Sequence, residues 1–145
     1  MKSIFKKISL SSDNAGFNLK ERIKKNLIKK KIKVIDLGPN TDKSVDYPDF
    51  AKKVARSVSS KKSNIGILVC GSGTGMAMSA NKFKKIRAAV CYNEASTRLA
   101  RLHNNANVIA IGSRLIKKEL AFKCINTFLN TDFEGGRHLK RIKKI

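Results

Sequence analysis

The sequence predicts an α/β fold in which one parallel sheet lies between two layers of helices, and three observations carry that prediction. Short β-branched runs alternate with longer amphipathic runs from one end of the chain to the other. One short run, Ile65 to Cys70, is apolar almost throughout, as a strand covered on both faces requires. No repeat, Pro-rich linker or low-complexity stretch interrupts the alternation, and 145 residues suffice for one domain with its own core.

Taken in order, Ile8 and Leu10 mark a first strand. Leu19, Ile23 and Leu27 follow at helical spacing, with Lys and Arg expected on the opposite face. Ile32 to Leu37 reads as a second strand, closed by Gly38-Pro39-Asn40. Phe50, Val54 and Val58, with Ala51 and Ala55, form the next apolar stripe, and Ile65 to Cys70 is the third strand. A Gly-rich loop then leads into a short helix that runs through Asn81. Ala88 to Cys91 and Val108 to Ile111 read as two more buried strands, with a helix over Asn93 to His103 between them. Ile116, Leu120 and Cys124, with Ala121, Ile125 and Phe128, mark the last long helix. Five strand–helix units in succession imply a Rossmann-like three-layer sandwich on a five-stranded parallel sheet, one domain over residues 1–145.

Composition narrows the function classes. The net charge is +22, which could mean a nucleic acid or an anionic membrane surface as partner. The basic residues are mostly Lys and recur in every helical segment, while only two Tyr and no Trp are available for stacking on bases. That dispersal fits compositional drift toward Lys, Ile and Asn, so no nucleic-acid partner is expected. Three Cys without a CxxC pair, beside two His, predict neither a disulfide framework nor a metal site, and favour a reducing compartment. The segment Met1 to Lys7 lacks the apolar run of a leader, and no stretch approaches the roughly 18 apolar residues of a membrane span. A cytoplasmic protein without a membrane partner is expected.

In a parallel sheet ligands collect beyond the carboxyl ends of the strands, so those ends hold the candidate residues. After the first strand, Ser11 to Gly16 form a small polar turn in which Asp13 and Asn14 either cap a helix or bind a ligand. After the third come Cys70-Gly71-Ser72-Gly73-Thr74-Gly75-Met76. Gly at alternate positions lets backbone N–H groups converge on an anion. The loop is neither a Walker loop nor a full dinucleotide fingerprint, although a nucleotide site stays open on this segment alone. Cys91 and Cys124 read as small core residues, whereas Cys70 faces the cradle, where donors favour a thiolate that can act as nucleophile or base. His103 closes a helical stretch, which by itself suits a solvated helix end. Ser113 and Arg114 follow the fifth strand. Arg137 and Arg141 stand one helical turn apart, a spacing from which two guanidiniums reach one phosphate.

Together these segments resemble the type B ribose-5-phosphate isomerases, which are related to galactose-6-phosphate isomerase subunits. Ser12-Asp13-Asn14-Ala15-Gly16-Phe17 is similar to the family's CDHAGF opening, and Asp46-Tyr47-Pro48 to its DYP turn. Cys70 to Gly75 with Ala80-Asn81-Lys82 resembles CGSGxG and its trailing ANK. Arg101-Leu102-His103-Asn104, Gly112-Ser113-Arg114 and Glu134-Gly135-Gly136-Arg137-His138 match three further segments in the right order.

The resemblance implies aldose–ketose isomerisation of ribose 5-phosphate and ribulose 5-phosphate through a cis-enediolate, without metal or cofactor. It gives Cys70 the role of base and His103 that of ring opening. Backbone N–H groups of Gly71, Ser72, Gly73, Thr74 and Gly75 would hold the oxyanion, and Tyr47 would lie among the substrate contacts. Asp13 and Asn14 would meet sugar hydroxyls, Asn104 the reacting oxygens, and Arg114, Arg137 and Arg141 the phosphate. It also implies a homodimer, or a tetramer of such pairs, with each site shared between subunits. Two positions depart from the pattern: Asn14 stands where the family has His, and Ser12 where it has Cys. A basic nucleic-acid module and a family member kept only for assembly are the competing readings, and six-carbon phosphates compete as substrate.

Overall fold

Each apolar β-branched run becomes a strand in the computed structural model, which describes residues 4–145. Residues 1–3, the start of the Met1 to Lys7 segment expected not to be a leader, lie outside the described residues. The order is β1 (Lys7–Ser12), α1 (Phe17–Lys29), β2 (Lys33–Asp36), α2 (Tyr47–Ser59), β3 (Ile65–Cys70) and α3 (Thr74–Ala80). Then follow β4 (Ala88–Val90), α4 (Glu94–Asn104), β5 (Val108–Gly112), α5 (Lys118–Leu129) and α6 (Arg137–Ile142). All strands are parallel, in the order β2-β1-β3-β5-β4.

All six residues of β3 are buried because both of its faces are covered. Ile65, Ile67 and Val69 point into one core with Leu19, Ile23, Leu27, Ala121 and Phe128, from α1 and α5. Leu68 and Cys70 point into the other, with Val54 and Val58 of α2 and Met76 and Ala80 of α3. Cys91 and Cys124 are core residues, as expected. Asn93 starts α4 firmly, its side-chain oxygen accepting the Ser96 N–H at 2.7 Å in a capping box. Among the described residues no helix is long and apolar enough to cross a membrane.

Two expectations fail. β4 is not a buried strand: it pairs only with β5, lies at the sheet edge, and leaves Val90 36% exposed. Three small residues cannot hold a central position against Val108 to Gly112, all five of which are buried. Nor are the basic residues of α1 all on its outer face. Lys20 is 0% exposed, with Nζ 2.9 and 3.1 Å from the two carboxylate oxygens of Asp36 and 3.2 Å from Glu21. Lys24 completes the group at 2.7 Å from Asp36. A buried ammonium is tolerated when its charge is paired and its protons find acceptors.

The chain leaves β1 toward β2 and then crosses to β3 on the other side. The crevice beyond the carboxyl ends of β1 and β3 is therefore the topological switch point, where such sheets bind ligands.

Candidate active site

The loops after β1, β3 and β5 are tied into one surface. Asp13 N–H donates to the Val69 carbonyl at 3.1 Å, and Ser113 N–H to that of Cys70 at 2.8 Å. Ser113 Oγ donates to the Ala15 carbonyl at 2.9 Å. Asp13 does not cap α1, whose N-cap is Gly16; it accepts the Gly16 N–H on Oδ1 at 2.9 Å and closes the turn ahead of the helix. Position 16 must be Gly, since a Cβ there would collide with the Val69 carbonyl. Asn14 Oδ1 accepts the Val45 N–H at 3.4 Å, which draws the approach to α2 toward this loop. Tyr47 opens α2 and lies against Gly75, where a Cβ would stand 2.5 Å from the ring.

Cys70 ends β3 and is 5% exposed. Its Sγ accepts the Gly73 N–H at 3.1 Å. Gly73 has φ +80°, a left-handed conformation that turns its N–H back onto the sulfur and that residues with a Cβ adopt at a cost. Ser72 Oγ accepts the Thr74 N–H at 3.3 Å, so the cradle is braced from within. Arg114 N–H donates to the Gly71 carbonyl at 3.0 Å, and its guanidinium lies over Gly71, 3.2 Å from where a Cβ would stand. Asp13, Asn14, Tyr47, Cys70, the segment Gly71 to Gly75 and Arg114 thus form one cluster at the carboxyl edge of the sheet.

His103 and Asn104 belong elsewhere in the same chain. Cys70 lies opposite Gly112 on β5, whereas α4 ends just ahead of Val108, at the other end of that strand. Four residues of strand separate the two ends, about 13 Å at about 3.3 Å per residue. Here α4 is fastened by buried Arg101, whose Nε donates to the Thr131 carbonyl at 2.9 Å and whose Nη1 donates to Ala106 at 2.6 Å. Glu134 N–H donates to the Leu102 carbonyl at 3.1 Å. Gly135 and Gly136, at φ +72° and +56°, then reverse the chain into α6. The reversal stacks His138 on His103, ring centroids 4.2 Å apart and planes 14° apart. Arg141 lines a cavity of about 280 Å³ with His103, Asn104 and His138, and Arg137 opens the same helix.

His138 was visible in the sequence only as part of a motif; its partnership with His103 was not. It is 5% exposed, and its Nε2 has no hydrogen-bond partner among the described residues. Burial, followed by the charges of His103 and Arg137, lowers its pKa. The sequence leads to no metal site being expected, but one group of potential ligand side chains comes together here. His103, Glu134 and His138 bring one ligand atom each to within 4.8 Å of one another. The four-residue spacing of Glu134 and His138 was legible, but nothing local announced a partner on α4. The other two thiols stay outside both clusters, and burial pushes the Cys91 thiol up to about 11.

A family model described as ribose/galactose isomerase matches residues 8–145 of the chain. The ribose-5-phosphate isomerase B of Escherichia coli is 42% identical over 140 residues, which cover 97% of this chain and 94% of that protein. Among solved structures, the ribose 5-phosphate isomerase of Thermotoga maritima superposes with a TM-score of 0.94 at 51% identity, covering 95% of each chain. The ribose-5-phosphate isomerase B of Mycoplasma genitalium, determined with ribulose 5-phosphate bound, superposes at 0.91 with 44% identity, covering 95% of this chain and 92% of that one.

Proposed function

The chain belongs to the ribose/galactose isomerase family and is a sugar-phosphate isomerase, and from that premise we propose that it interconverts ribose 5-phosphate and ribulose 5-phosphate. The observation that carries the reading is Cys70 Sγ, held by the Gly73 N–H at the mouth of a Gly-rich loop with Asp13 and Arg114 at the same edge.

On this reading the furanose opens as His103 gives a proton to the ring oxygen, the bond from C1 to that oxygen breaks, and the C1 hydroxyl gives up its proton to become the aldehyde. That proton returns through solvent to restore His103. Cys70 then takes the C2 proton of the aldose and returns it to C1, while a hydroxyl proton passes between O1 and O2. The sulfur ends the cycle as it began, and no metal or cofactor takes part. Charge that develops on the enediolate oxygens meets the backbone N–H groups of Gly71 to Gly75, fixed in place before the reaction. Asp13 orients sugar hydroxyls, Tyr47 walls the site, and Asn104 meets the reacting oxygens. Arg114, Arg137 and Arg141 grip the phosphate, and that remote binding aligns the carbons. Asn14 gives its side-chain oxygen to Val45, so we assign it to shaping the loop as well as to contacting substrate. The three free cysteines fit the reducing cytoplasm.

His103 and Cys70 of one chain stand at opposite sheet edges, which supports composite sites in a homodimer: His103 of one subunit would serve Cys70 of the other. Cys70→Ala and His103→Ala proteins should each be nearly inactive. Mixed in equal amounts after unfolding, they should regain roughly a quarter of parent activity, since half the dimers would hold one intact site of two. No recovery after demonstrated subunit exchange overturns the shared site. Running allose and galactose 6-phosphates beside ribose 5-phosphate, in EDTA, tests the substrate and the metal independence together.

A further inference from the structure

We propose that His103, Glu134 and His138 form a binding site for a divalent transition metal ion of the zinc type, and that such an ion inhibits this protein. Two imidazoles and one carboxylate are a ligand set suited to zinc and its first-row neighbours, and unsuited to magnesium or calcium, which require oxygen. The backbone prepares the set. Glu134 is tied through its N–H to the Leu102 carbonyl, one residue from His103. The two left-handed glycines at 135 and 136 then bring His138 beneath the His103 ring, where side chains at those two positions would be strained.

His138 supplies the second, independent observation. A buried ring nitrogen without a partner among the described residues is costly, and this one belongs to a side chain lining the cavity shared with His103 and Arg141. A metal ion held by that nitrogen would give it the partner it lacks among the described residues. The three ligand atoms lie within 4.8 Å of one another, whereas zinc–nitrogen bonds of about 2.0–2.1 Å place tetrahedral ligands about 3.4 Å apart. Closing the site therefore draws the ligand atoms together by at most about 1.4 Å and fans the stacked rings out of parallel. His103 is only partly buried and Glu134 is exposed, so both can make that adjustment while His138 stays fixed. The positive charge of Arg141 in the same cavity opposes the ion, and Glu134 offsets it.

An ion bound here holds the His103 lone pair and closes the cavity. The inhibitory half of the proposal rests on the assignment of His103 to ring opening; the binding half does not. The test is titration of the full, metal-free chain with cobalt(II), read by the visible absorption of a tetrahedral site. One ion per chain is expected. His138→Gln should abolish the signal. Since His138 is buried, Glu134→Gln on the exposed turn provides the second variant, and it should weaken binding by about tenfold or more. Zinc should inhibit isomerisation of ribose 5-phosphate over its own binding range, with reversal by EDTA. Glu134→Gln should keep parent turnover and require more zinc for inhibition. No tetrahedral signal up to about 1 mM cobalt, where even a weak site would fill, overturns the proposal. So does a signal unchanged in both variants. Zinc binding with undiminished turnover overturns the inhibitory half, whereas absent turnover without any metal refutes the isomerase reading and leaves the cobalt result standing.

Discussion

Replacing Asp36 with Asn removes the charge that lets Lys20 sit inside the protein. Lys20 is wholly buried and reaches both Asp36 oxygens, at 2.9 and 3.1 Å. Asn keeps the acceptor for the Gly38 N–H, so the turn after β2 retains its bond, while the charge is lost and the oxygen that accepts from Lys24 becomes an NH2 donor. The remaining partner of Lys20 is Glu21 at 3.2 Å, one-third exposed and shared with Lys24. Removing one partner of a buried pair costs about 3–5 kcal/mol, and the residual contact to Glu21 places this variant near 3. Lys20→Met should cost far less, about 1 kcal/mol or under, because Asp36 keeps Lys24 at 2.7 Å and no buried charge is orphaned. The double variant should cost only about 1 kcal/mol, recovering most of the loss, a coupling of about 3 kcal/mol. Urea unfolding at pH 7 measures all three, and the Asp36→Asn midpoint in a thermal scan should fall by about 6–12 °C. Acid supplies a second check. Burial opposes ionisation of Asp36, but Lys24, Lys20 and the Gly38 N–H outweigh it and hold the carboxyl below its usual range. Its contribution is complete above the unfolded value of about 3.9 and is lost as pH falls through the lower folded value. The gap between parent and Asp36→Asn should accordingly narrow below about pH 4. A Lys20→Met variant as damaged as Asp36→Asn, or a gap that persists in acid, refutes the reasoning.

Three further outcomes follow from single contacts. Ser12 Oγ is buried without a partner among the described residues, so Ser12→Cys should stabilise the protein by about 1 kcal/mol in urea unfolding, where a loss would mean the hydroxyl is bonded. Gly75→Ala places a Cβ 2.5 Å from the Tyr47 ring and should cost about 1–3 kcal/mol of stability while displacing the tyrosine, seen in near-ultraviolet dichroism; an unchanged spectrum and stability would show that the ring moves freely. Burial holds the Cys91 thiol near 11, so iodoacetamide at pH 8 should leave Cys91 and the equally buried Cys124 unmodified until urea is added, and labelling of Cys91 in the folded protein would contradict its placement.

The limits of β3 were legible to the residue, because a strand covered on both faces writes its length as an unbroken apolar run. The place of β4 in the sheet was not, since Ala88, Ala89 and Val90 look alike as a short core strand and as an edge; only competition with β5 decides between them. Lys20 was misplaced for a related reason. Its neighbours Leu19 and Ile23 announced the buried stripe, but the carboxylate that admits an ammonium beside them stands 16 residues ahead, on β2. The carboxyl-edge cluster was readable because topology alone delivers Asp13, Cys70 and Arg114 to one side of a parallel sheet. The stacking of His103 on His138 depends on a glycine reversal after α5 and on the anchoring of Arg101, and neither leaves a periodic trace in the sequence.

The stretch of β5 between Cys70 and His103 has a kinetic consequence if the active site is shared. Turnover then depends on an association equilibrium as well as on a barrier. A newly folded chain is silent until it meets a second, so unpaired copies neither consume substrate nor leak a reactive enediolate. Below the dimer dissociation constant the paired population rises with the square of total protein, and activity per molecule falls in proportion to dilution although every chain remains folded. Modest changes in expression would then be amplified in flux. Surface substitutions far from any substrate contact, at positions that face the second subunit, would alter apparent turnover without altering the chemistry of an assembled site.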